Sequence, residues 1–341
     1  MGKKLKIGDA VIEMQSYEDG KCIYFGKARC IHQKKGAKEK KKDKENRCDG
    51  YDSSCKIFLG SSPFVPIYDE KYLLPPVESE ILALSIANAD NVLIAGSPGT
   101  GKSSLVLQLA SIFNWGVVRY SCSEEISSSK IIGQWTVIGD TMEWVDGYIV
   151  HAMRSGFILL EDESDFMRPE LRGEVHSLME QGGNIVLTGV HPKTKKIFKE
   201  VVNKHPAFRW ISTANTTGYG DEMFSFHGTQ YMNAASRDRY EIILKFDYRP
   251  PEEEAAIIHT KTQLDINIVE KMIGVAKACR ESIKDGMMFH FSIRRLLAWA
   301  KYYQKLSPEV ACRLAVLNFC NSVDEHTVKS LIRTHMNVEI N

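Results

Sequence analysis

The sequence predicts an α/β fold in which a parallel sheet lies between helices, followed by an all-helical region and preceded by a small module rich in Cys and Lys. Three observations support this. Strand-like and helix-like patterns alternate from residue 77 to about 250, a glycine-rich loop joins the first strand to a helix, and only helical patterns follow Pro250-Pro251. The expected divisions are a basic Cys-containing module at 1–62, an α/β core at 63–250 and a helical lid at 251–341.

The strands of the core are expected where short apolar runs occur. These runs are Asn91–Ala95, Val117–Tyr120, Phe157–Leu160, Arg209–Ala214 and Glu241–Phe246. Helices are expected from Lys102 to about Phe113 and over Arg168–Glu180, where Pro169 suits the first turn. Asn184–Thr188 and Lys196–Val202 are expected to pair as a hairpin.

Charge is unevenly distributed along the 341 residues. The net charge of +1 excludes a protein that is basic throughout, and the 43% apolar content predicts a packed core. Residues 1–60 contain 15 Lys/Arg and 9 Asp/Glu, a net charge of +6, whereas the remainder carries −5. This asymmetry favours an anionic partner for the N-terminal module.

No apolar run has the length of a signal peptide core or of a membrane span, so we expect a cytoplasmic protein that does not enter a membrane. Four of the eight cysteines stand among apolar neighbours and are expected to be reduced core residues. They are Cys122, Cys279, Cys312 and Cys320.

A phosphate-binding loop is predicted between the first core strand and the helix that follows it. The run fits G-x-x-x-x-G-K-S, and glycines let successive backbone N–H groups point at phosphate oxygens near a helix N-terminus. Lys102 is expected to reach the β- and γ-phosphates of ATP, and the Ser103 hydroxyl to bind Mg²⁺. The expected nucleotide-binding residues are Gly96, Ser97, Pro98, Gly99, Thr100, Gly101, Lys102, Ser103 and Ser104.

An apolar strand ending in three acids predicts the second half of a hydrolytic site. Enzymes with this loop use one carboxylate for Mg²⁺ and another to orient the attacking water. We assign Asp162 to the metal and Glu163 to the water. Glu161 is expected at the exposed end of the strand, and Asp165 is expected to cap a helix or contact a neighbouring subunit.

Polar residues at three later positions are candidates for contact with the nucleotide. Asn215 ends a strand, where its amide could hold the attacking water against the γ-phosphate. Arg237 and Arg239 precede the last strand, and Arg294 opens a helix of the lid. Taken alone, each is equally well explained as a turn residue or a surface charge.

In this order, the motifs resemble those of AAA+ ATPases. The resemblance implies that Asn215 is sensor 1 and that Arg294, in Ser-x-Arg, is sensor 2. It also implies an arginine finger that enters the neighbouring subunit's site, either Arg239, which we favour, or Arg237. A finger supplied by a neighbour requires an oligomer.

Several strings are similar to the AAA+ subunit of aerobic cobaltochelatase, the CobS type, within the MoxR-like branch. The resemblance runs from about Phe64 to the C-terminus. It implies a hexameric ATPase ring that works with a partner containing a von Willebrand factor A domain. The strings are Asp162–Asp165 with Arg168–Glu170, His205–Arg209, Thr213–Thr216, Gly218–Asp221, His227–Gln230 and Arg313–Asn318.

The N-terminal module contains the spacing C-x7-C-x17-C-x6-C, formed by Cys22, Cys30, Cys48 and Cys55. These thiolates could bind Zn²⁺, with His32 as a substitute ligand, or could be ordinary thiols of a small β-rich module. The basic run between His32 and Lys44 could contact nucleic acid, or could be a solvated loop that docks an acidic protein.

The sequence thus predicts an ATP-hydrolysing ring motor that remodels a partner protein, and the family resemblance implies a metal-chelatase-like complex as one setting for it. Two alternatives remain at this point. One is a motor directed to nucleic acid by the basic module, and the other is a nucleotide-gated scaffold with little turnover.

Overall fold

The computed structural model describes residues 63–138, 141–190, 197–219 and 229–340, together with the backbone of four short strands between residues 4 and 22. The strands are β1 (Lys4–Ile7), β2 (Ala10–Glu13), β3 (Tyr17–Glu18), β4 (Lys21–Cys22), β5 (Val92–Ala95), β6 (Val117–Ser121), β7 (Gly133–Ile138), β8 (Thr141–Asp146), β9 (Ile158–Asp162), β10 (Asn184–Val190), β11 (Ile197–Asn203), β12 (Arg209–Ala214) and β13 (Ile242–Lys245).

The helices are distributed between the core and the C-terminal region. They are α1 (Pro76–Asn88), α2 (Lys102–Ile112), α3 (Ser128–Ile131), α4 (Tyr148–Ser155), α5 (Pro169–Met179), α6 (Ala234–Arg237), α7 (Pro251–Thr262), α8 (Ile266–Ser282), α9 (Ile293–Tyr303), α10 (Pro308–Ala315) and α11 (Ser322–Met336). Across the described ranges, none of these helices combines the length and the apolar character needed to cross a bilayer.

Five strands form one parallel sheet in the order β13-β5-β12-β9-β6. Every residue of β5, β9 and β12 is buried, as expected for parallel strands that are covered on both faces. Because the strands run in one direction, their carboxyl ends meet at one edge, which is where open α/β sheets bind ligands. The predicted parallel sheet between helices is confirmed.

Helices cover the two faces of this sheet with separate apolar clusters. On one face, α1 and α2 pack through residues that include Leu82, Leu105 and Leu109. On the other face, α4 and α5 contribute Met153 and Leu178, among others. Side chains alternate along each strand, so neighbouring residues of one strand enter different clusters.

Two antiparallel hairpins interrupt the alternation of strands and helices. The predicted hairpin forms from β10 and β11, and its tip at 191–196 lies outside the described residues. β10 extends two residues beyond its expected end, and β11 has its expected length but starts one residue later. The hairpin of β7 and β8 lies between β6 and α4 and was not predicted. Its pairing is supported by a T-shaped contact between Trp135 and Trp144, with ring centroids 6.0 Å apart.

The C-terminal region is helical, as predicted, and has its own core. Val269, Leu296 and Trp299 are among its fully buried side chains. A buried ion pair joins α7 to α8, with Arg280 Nη1 2.7 Å from Glu254 Oε2. The Arg280 guanidinium also lies 3.7 Å from the centre of the Tyr248 ring, which connects this region to the segment leaving the sheet.

Candidate functional site

The predicted phosphate loop lies between β5 and α2. Gly99 and Gly101 have φ angles of +71° and +103°, which residues with a Cβ rarely adopt. A Cβ on Gly96 would lie 2.1 Å from the carbonyl oxygen of Phe246. No side chain caps the start of α2, and residues of its first turn line a cavity, which is the arrangement that binds anions.

Lys102 is 8% exposed and folds over its own loop. Its ammonium group donates to Gly96 O at 2.6 Å, to Ser97 O at 3.0 Å and to Asn215 Oδ1 at 3.3 Å. Burial lowers the pKa of Lys102 to about 8, although Asp165 and other nearby carboxylates act in the opposite direction. The contact with Asn215 brings the predicted sensor to the phosphate loop.

Asp162 lies at the end of β9 and joins the phosphate loop to β12. Its Oδ1 accepts hydrogen bonds from the hydroxyl of Ser103 and from Thr213 Oγ1, the latter at 2.7 Å. A hydroxyl and a carboxylate that converge in this way are the oxygen donors that Mg²⁺ prefers. The two residues assigned to the metal from the sequence therefore lie together and fit Mg²⁺.

Glu163 follows Asp162 with a left-handed backbone, φ +55° and ψ +46°. Its N–H donates to Thr213 Oγ1 at 3.2 Å, and its side chain is exposed at the cavity. A non-glycine residue in this conformation carries strain that the surrounding contacts must hold. The bend turns Glu163 away from the strand direction and keeps its carboxylate in the cavity wall.

Asp165 is 2% exposed and anchors the segment that carries Asn215. Its Oδ2 accepts a hydrogen bond from the Asn215 N–H at 2.9 Å, and its carbonyl oxygen accepts one from the Gln230 N–H at 2.6 Å. Burial raises the pKa of Asp165. The expectation that Asp165 caps a helix or contacts a neighbouring subunit is wrong, because its carboxylate is buried inside its own chain.

Glu161 is also buried, at 1% exposure, so the expectation of an exposed strand end is wrong. Its carboxylate accepts hydrogen bonds from the Tyr120 hydroxyl, from Trp210 Nε1 at 3.0 Å and from Ser212 Oγ at 2.6 Å. Tyr240 extends the network by donating to Ser212 Oγ at 2.9 Å. Burial raises the pKa of Tyr120 well above its usual value, so this hydroxyl remains a donor.

Arg119 is a contact of Asp162 that the sequence analysis missed. It lies on β6, where Arg119 Nε donates to Asp162 Oδ2 at 2.6 Å and Nη2 contacts the same oxygen. No motif marks this arginine. Only the pairing of β6 with β9, which aligns Ser121 with Asp162, could have indicated that it lies near the site.

The two candidate finger arginines have different surroundings. Arg239 is held within its own chain, since it donates to His176 O, Ala235 O and Glu180 Oε1 at 3.2, 2.7 and 2.9 Å. Arg237 stacks on Tyr219, 3.8 Å from the ring centre, and its Nε has no hydrogen-bond partner among the described residues. The arginine finger therefore stays a prediction.

Two adjoining cavities line the phosphate loop. One, of about 330 Å³, is lined by loop residues with Arg119, Asp162, Glu163, Asn215 and Arg294. The second, of about 350 Å³, lies between the loop, the segment at Asp69–Leu73 and the lid, and shares Arg294. Together they have the size and the mixture of polar and apolar walls expected for a nucleotide site.

Arg294 brings the lid to this site. It is exposed at the first turn of α9, whose N-cap Ser292 accepts a hydrogen bond from the Arg295 N–H. A Cβ on Gly99 would lie 2.5 Å from the Ser292 Cβ, so the loop and the lid are in direct contact. The predicted sensor of the lid is therefore positioned by the same helix start that touches the phosphate loop.

Other predicted features fall outside the described residues. They are the side chain of Cys22, all of Cys30, Cys48 and Cys55, the basic run that begins at His32, and part of the strings Gly218–Asp221 and His227–Gln230. The zinc and nucleic-acid hypotheses for the N-terminal module therefore stay predictions.

Comparison with known proteins finds two family models that match separate parts of the described region. Residues 91–239 match the AAA domain of the dynein-related subfamily, and residues 254–337 match the C-terminal domain of the CbbQ/NirQ/NorQ proteins.

Three curated relatives cover most of the chain. The aerobic cobaltochelatase subunit CobS of Sinorhizobium sp. is 27% identical over 304 residues, covering 85% of this chain and 89% of the relative. Protein CbbQ of Hydrogenophilus thermoluteolus is 25% identical, covering 75% and 90%. The denitrification regulatory protein NirQ of Stutzerimonas stutzeri is 25% identical, covering 71% and 82%. With the parallel sheet, the phosphate loop and the helical C-terminal region, these matches establish that the chain belongs to the MoxR-like branch of the AAA+ ATPases.

Proposed function

We propose that this chain hydrolyses ATP to ADP and phosphate as one subunit of a ring, and that hydrolysis drives the remodelling of a partner protein. The observation that carries the proposal is the convergence of Ser103 and Thr213 on Asp162, with Glu163 beside them in the cavity wall. This arrangement joins the phosphate loop to the acidic strand end in one site.

The residues have separate roles in this mechanism. Glu163 orients a water for in-line attack on the γ-phosphate, and Asn215 holds that water from the other side. Lys102 exchanges its contacts with the loop carbonyls for phosphate oxygens and stabilises their developing charge. Mg²⁺, when bound near Ser103 and Asp162, would neutralise charge on the β- and γ-phosphates.

The enzymatic part of the proposal is tested by phosphate release from the purified full chain with ATP and Mg²⁺. We expect turnover in the wild type and a loss on the order of 100-fold in Lys102→Ala, since a buried charge contact with the phosphates disappears. Lys271→Ala, on an exposed position of α8, is the matched control and should retain full turnover. Equal turnover in all three proteins would contradict the assignment.

The finger is the part of the proposal that requires a ring, which we take to be a hexamer. The sequence favours Arg239, but three hydrogen bonds within its own chain would have to break before Arg239 reached a neighbour. Among the described residues, Arg237 would have to leave only its stack on Tyr219, and this supports Arg237 as the finger. An arginine finger contributes on the order of 1000-fold to turnover. We therefore expect Arg237→Ala to lose far more activity than Arg239→Ala.

Mixing two inactive variants tests whether the finger acts between subunits. Glu163→Gln keeps Arg237, and Arg237→Ala keeps Glu163, so a mixed ring contains some sites with both residues intact. We expect turnover to reappear on mixing. If the mixture stays as inactive as its parts, the finger does not act on a neighbour's site.

The partner is proposed from the relatives. The similar CobS is a cobaltochelatase subunit, so we propose a metal-chelatase-like complex as the first client to test. The partner implied by the resemblance to the CobS type, a von Willebrand factor A domain protein, is the one we propose here. The Glu163→Gln variant loaded with ATP should co-elute with such a protein from the same genome. Failure to co-elute, or equal co-elution with ADP, would contradict this pairing.

The N-terminal module supports a second candidate, a motor directed to nucleic acid. The net charge of +6 in residues 1–60 favours it. Binding of the full chain to DNA or RNA should then weaken steeply as salt rises, and a flat salt dependence would reject it. Metal analysis of the same preparation tests Zn²⁺ at Cys22, Cys30, Cys48 and Cys55, and a zinc content near zero would reject that site.

A further inference from the structure

The contact between Arg119 and Asp162 has no role in the mechanism proposed above. Arg119 lies between Val118 and Tyr120, whose side chains enter the core on one face of the sheet. The Arg119 side chain therefore lies on the opposite face, on which α2 packs. It is 50% exposed, whereas the Asp162 side chain is only 7% exposed.

With this contact, both oxygens of the Asp162 carboxylate have hydrogen-bond donors. Oδ1 is held by the hydroxyls of Ser103 and Thr213, and Oδ2 is held by two nitrogens of Arg119. A guanidinium is permanently charged, and two of its N–H groups bind one carboxylate in a fixed geometry. Arg119 thus places a positive charge on the carboxylate that is assigned to Mg²⁺.

We propose that Arg119 competes with Mg²⁺ for Asp162, and so acts as a positioning residue that weakens the metal's contribution to ATP binding. The inference rests on the proposed function, because it assumes that Mg²⁺ binds with ATP beside Ser103 and Asp162. A monovalent and a divalent cation on one nearly buried carboxylate repel each other at short range, where solvent screening is weak. Arrival of the metal therefore requires Arg119 to release Oδ2.

A groove next to Arg119 offers an alternative position for the side chain after it leaves Asp162. Besides the nucleotide cavity, Arg119 lines a groove between β6 and the hairpin of β7 and β8. Gln134 and Asp146 line the same groove, and both can accept a hydrogen bond. Release from Asp162 therefore moves the guanidinium along an open surface and needs no change in the sheet.

The test measures binding without turnover. All proteins carry Glu163→Gln in the full chain, and the dissociation constant of the fluorescent nucleotide mant-ATP is measured in EDTA and in saturating Mg²⁺. The Mg²⁺ enhancement is the dissociation constant in EDTA divided by the dissociation constant in saturating Mg²⁺, so a larger value means that Mg²⁺ tightens binding more. Arg119→Ala should raise this enhancement about tenfold, the effect of removing one charged hydrogen-bonded competitor.

Two further variants separate the proposal from a general disturbance of the fold. Arg119→Lys retains a cation and should keep the enhancement within about threefold of that of the parent Glu163→Gln protein. Arg333→Ala removes an exposed arginine of α11 that lines neither the nucleotide cavity nor the groove, and it should leave the enhancement unchanged. Thermal melting of each variant shows that it is folded.

The outcomes distinguish this inference from the proposed function. An unchanged or reduced Mg²⁺ enhancement in Arg119→Ala, with mant-ATP still bound, would overturn the competition alone. A reduced enhancement would show instead that Arg119 orients Asp162 for the metal. Absence of mant-ATP binding in every protein would overturn the proposed function and this inference together.

Discussion

The two faces of the central sheet treat adjacent carboxylates of β9 in different ways. Glu161 and Asp162 are both nearly buried, at 1% and 5% exposure. The donors to Glu161 come from Tyr120, Trp210 and Ser212, which are all buried. Those to Asp162 include Ser103 and Arg119, which line a cavity. Burial alone therefore does not distinguish a structural carboxylate from a functional one. The two are distinguished by whether the side chains that donate hydrogen bonds to the carboxylate line a ligand cavity.

The largest expected difference between the faces is in turnover. Asp162→Asn removes the charge assigned to Mg²⁺ and should lower turnover roughly 1000-fold, while the free energy of unfolding falls by about 2 kcal/mol because the donors to a charged acceptor are weakened. Phosphate release and thermal unfolding of the same samples measure both quantities. Glu161→Gln makes the same acid-to-amide change on the other face, and its folded fraction should keep turnover within about threefold of wild type.

For stability, the larger effect is expected on the face that contains Glu161. Glu161→Ala leaves the donors of Tyr120, Trp210 and Ser212 buried without their acceptor, which should cost about 3 kcal/mol in the free energy of unfolding. Glu163→Ala, one step outside the strand, should change it by less than about 0.5 kcal/mol, because the side chain is exposed. Equal losses in denaturant titrations of the two variants would contradict the assigned roles.

The smallest expected effects are those of two neighbouring hydroxyl residues on β12, which donate hydrogen bonds on opposite faces of the sheet. Ser212 donates to Glu161 and Thr213 donates to Asp162. Ser212→Ala should cost about 1 kcal/mol of stability and leave turnover nearly intact. Thr213→Ala should lower turnover about tenfold, since it loosens both Asp162 and the backbone at Glu163. A larger turnover defect in Ser212→Ala would break the comparison.

The sequence predicted the fold class because apolar strands, a glycine-rich loop and helical periodicity are all local patterns. The same kind of signal located the ends of β5, β9 and β12, where parallel strands necessarily bring polar residues together. Strand bounds differed by one or two residues, as at β6, which extends to Ser121.

The sequence could not assign the faces of β9. Three acids in a row leave the side of each carboxylate ambiguous, and the burial of Glu161 depends on donors from β6 and β12 that are distant in sequence. Arg119 was missed for the same reason, since its contact with Asp162 spans 43 residues. The role of Asp165 likewise depends on the backbone of Asn215, 50 residues away.

The most direct test of the account compares the wild type with Glu163→Gln. ATP binding and single-turnover hydrolysis of radiolabelled ATP would be measured on the same preparations of the full chain in saturating Mg²⁺. We predict that binding stays within about threefold, while the hydrolysis rate falls roughly 100- to 10,000-fold, the range for removal of a general base or water-orienting group. Unchanged hydrolysis in the variant, or no hydrolysis in the wild type, would contradict the assignment of Glu163 and of this face of the sheet as an ATPase site.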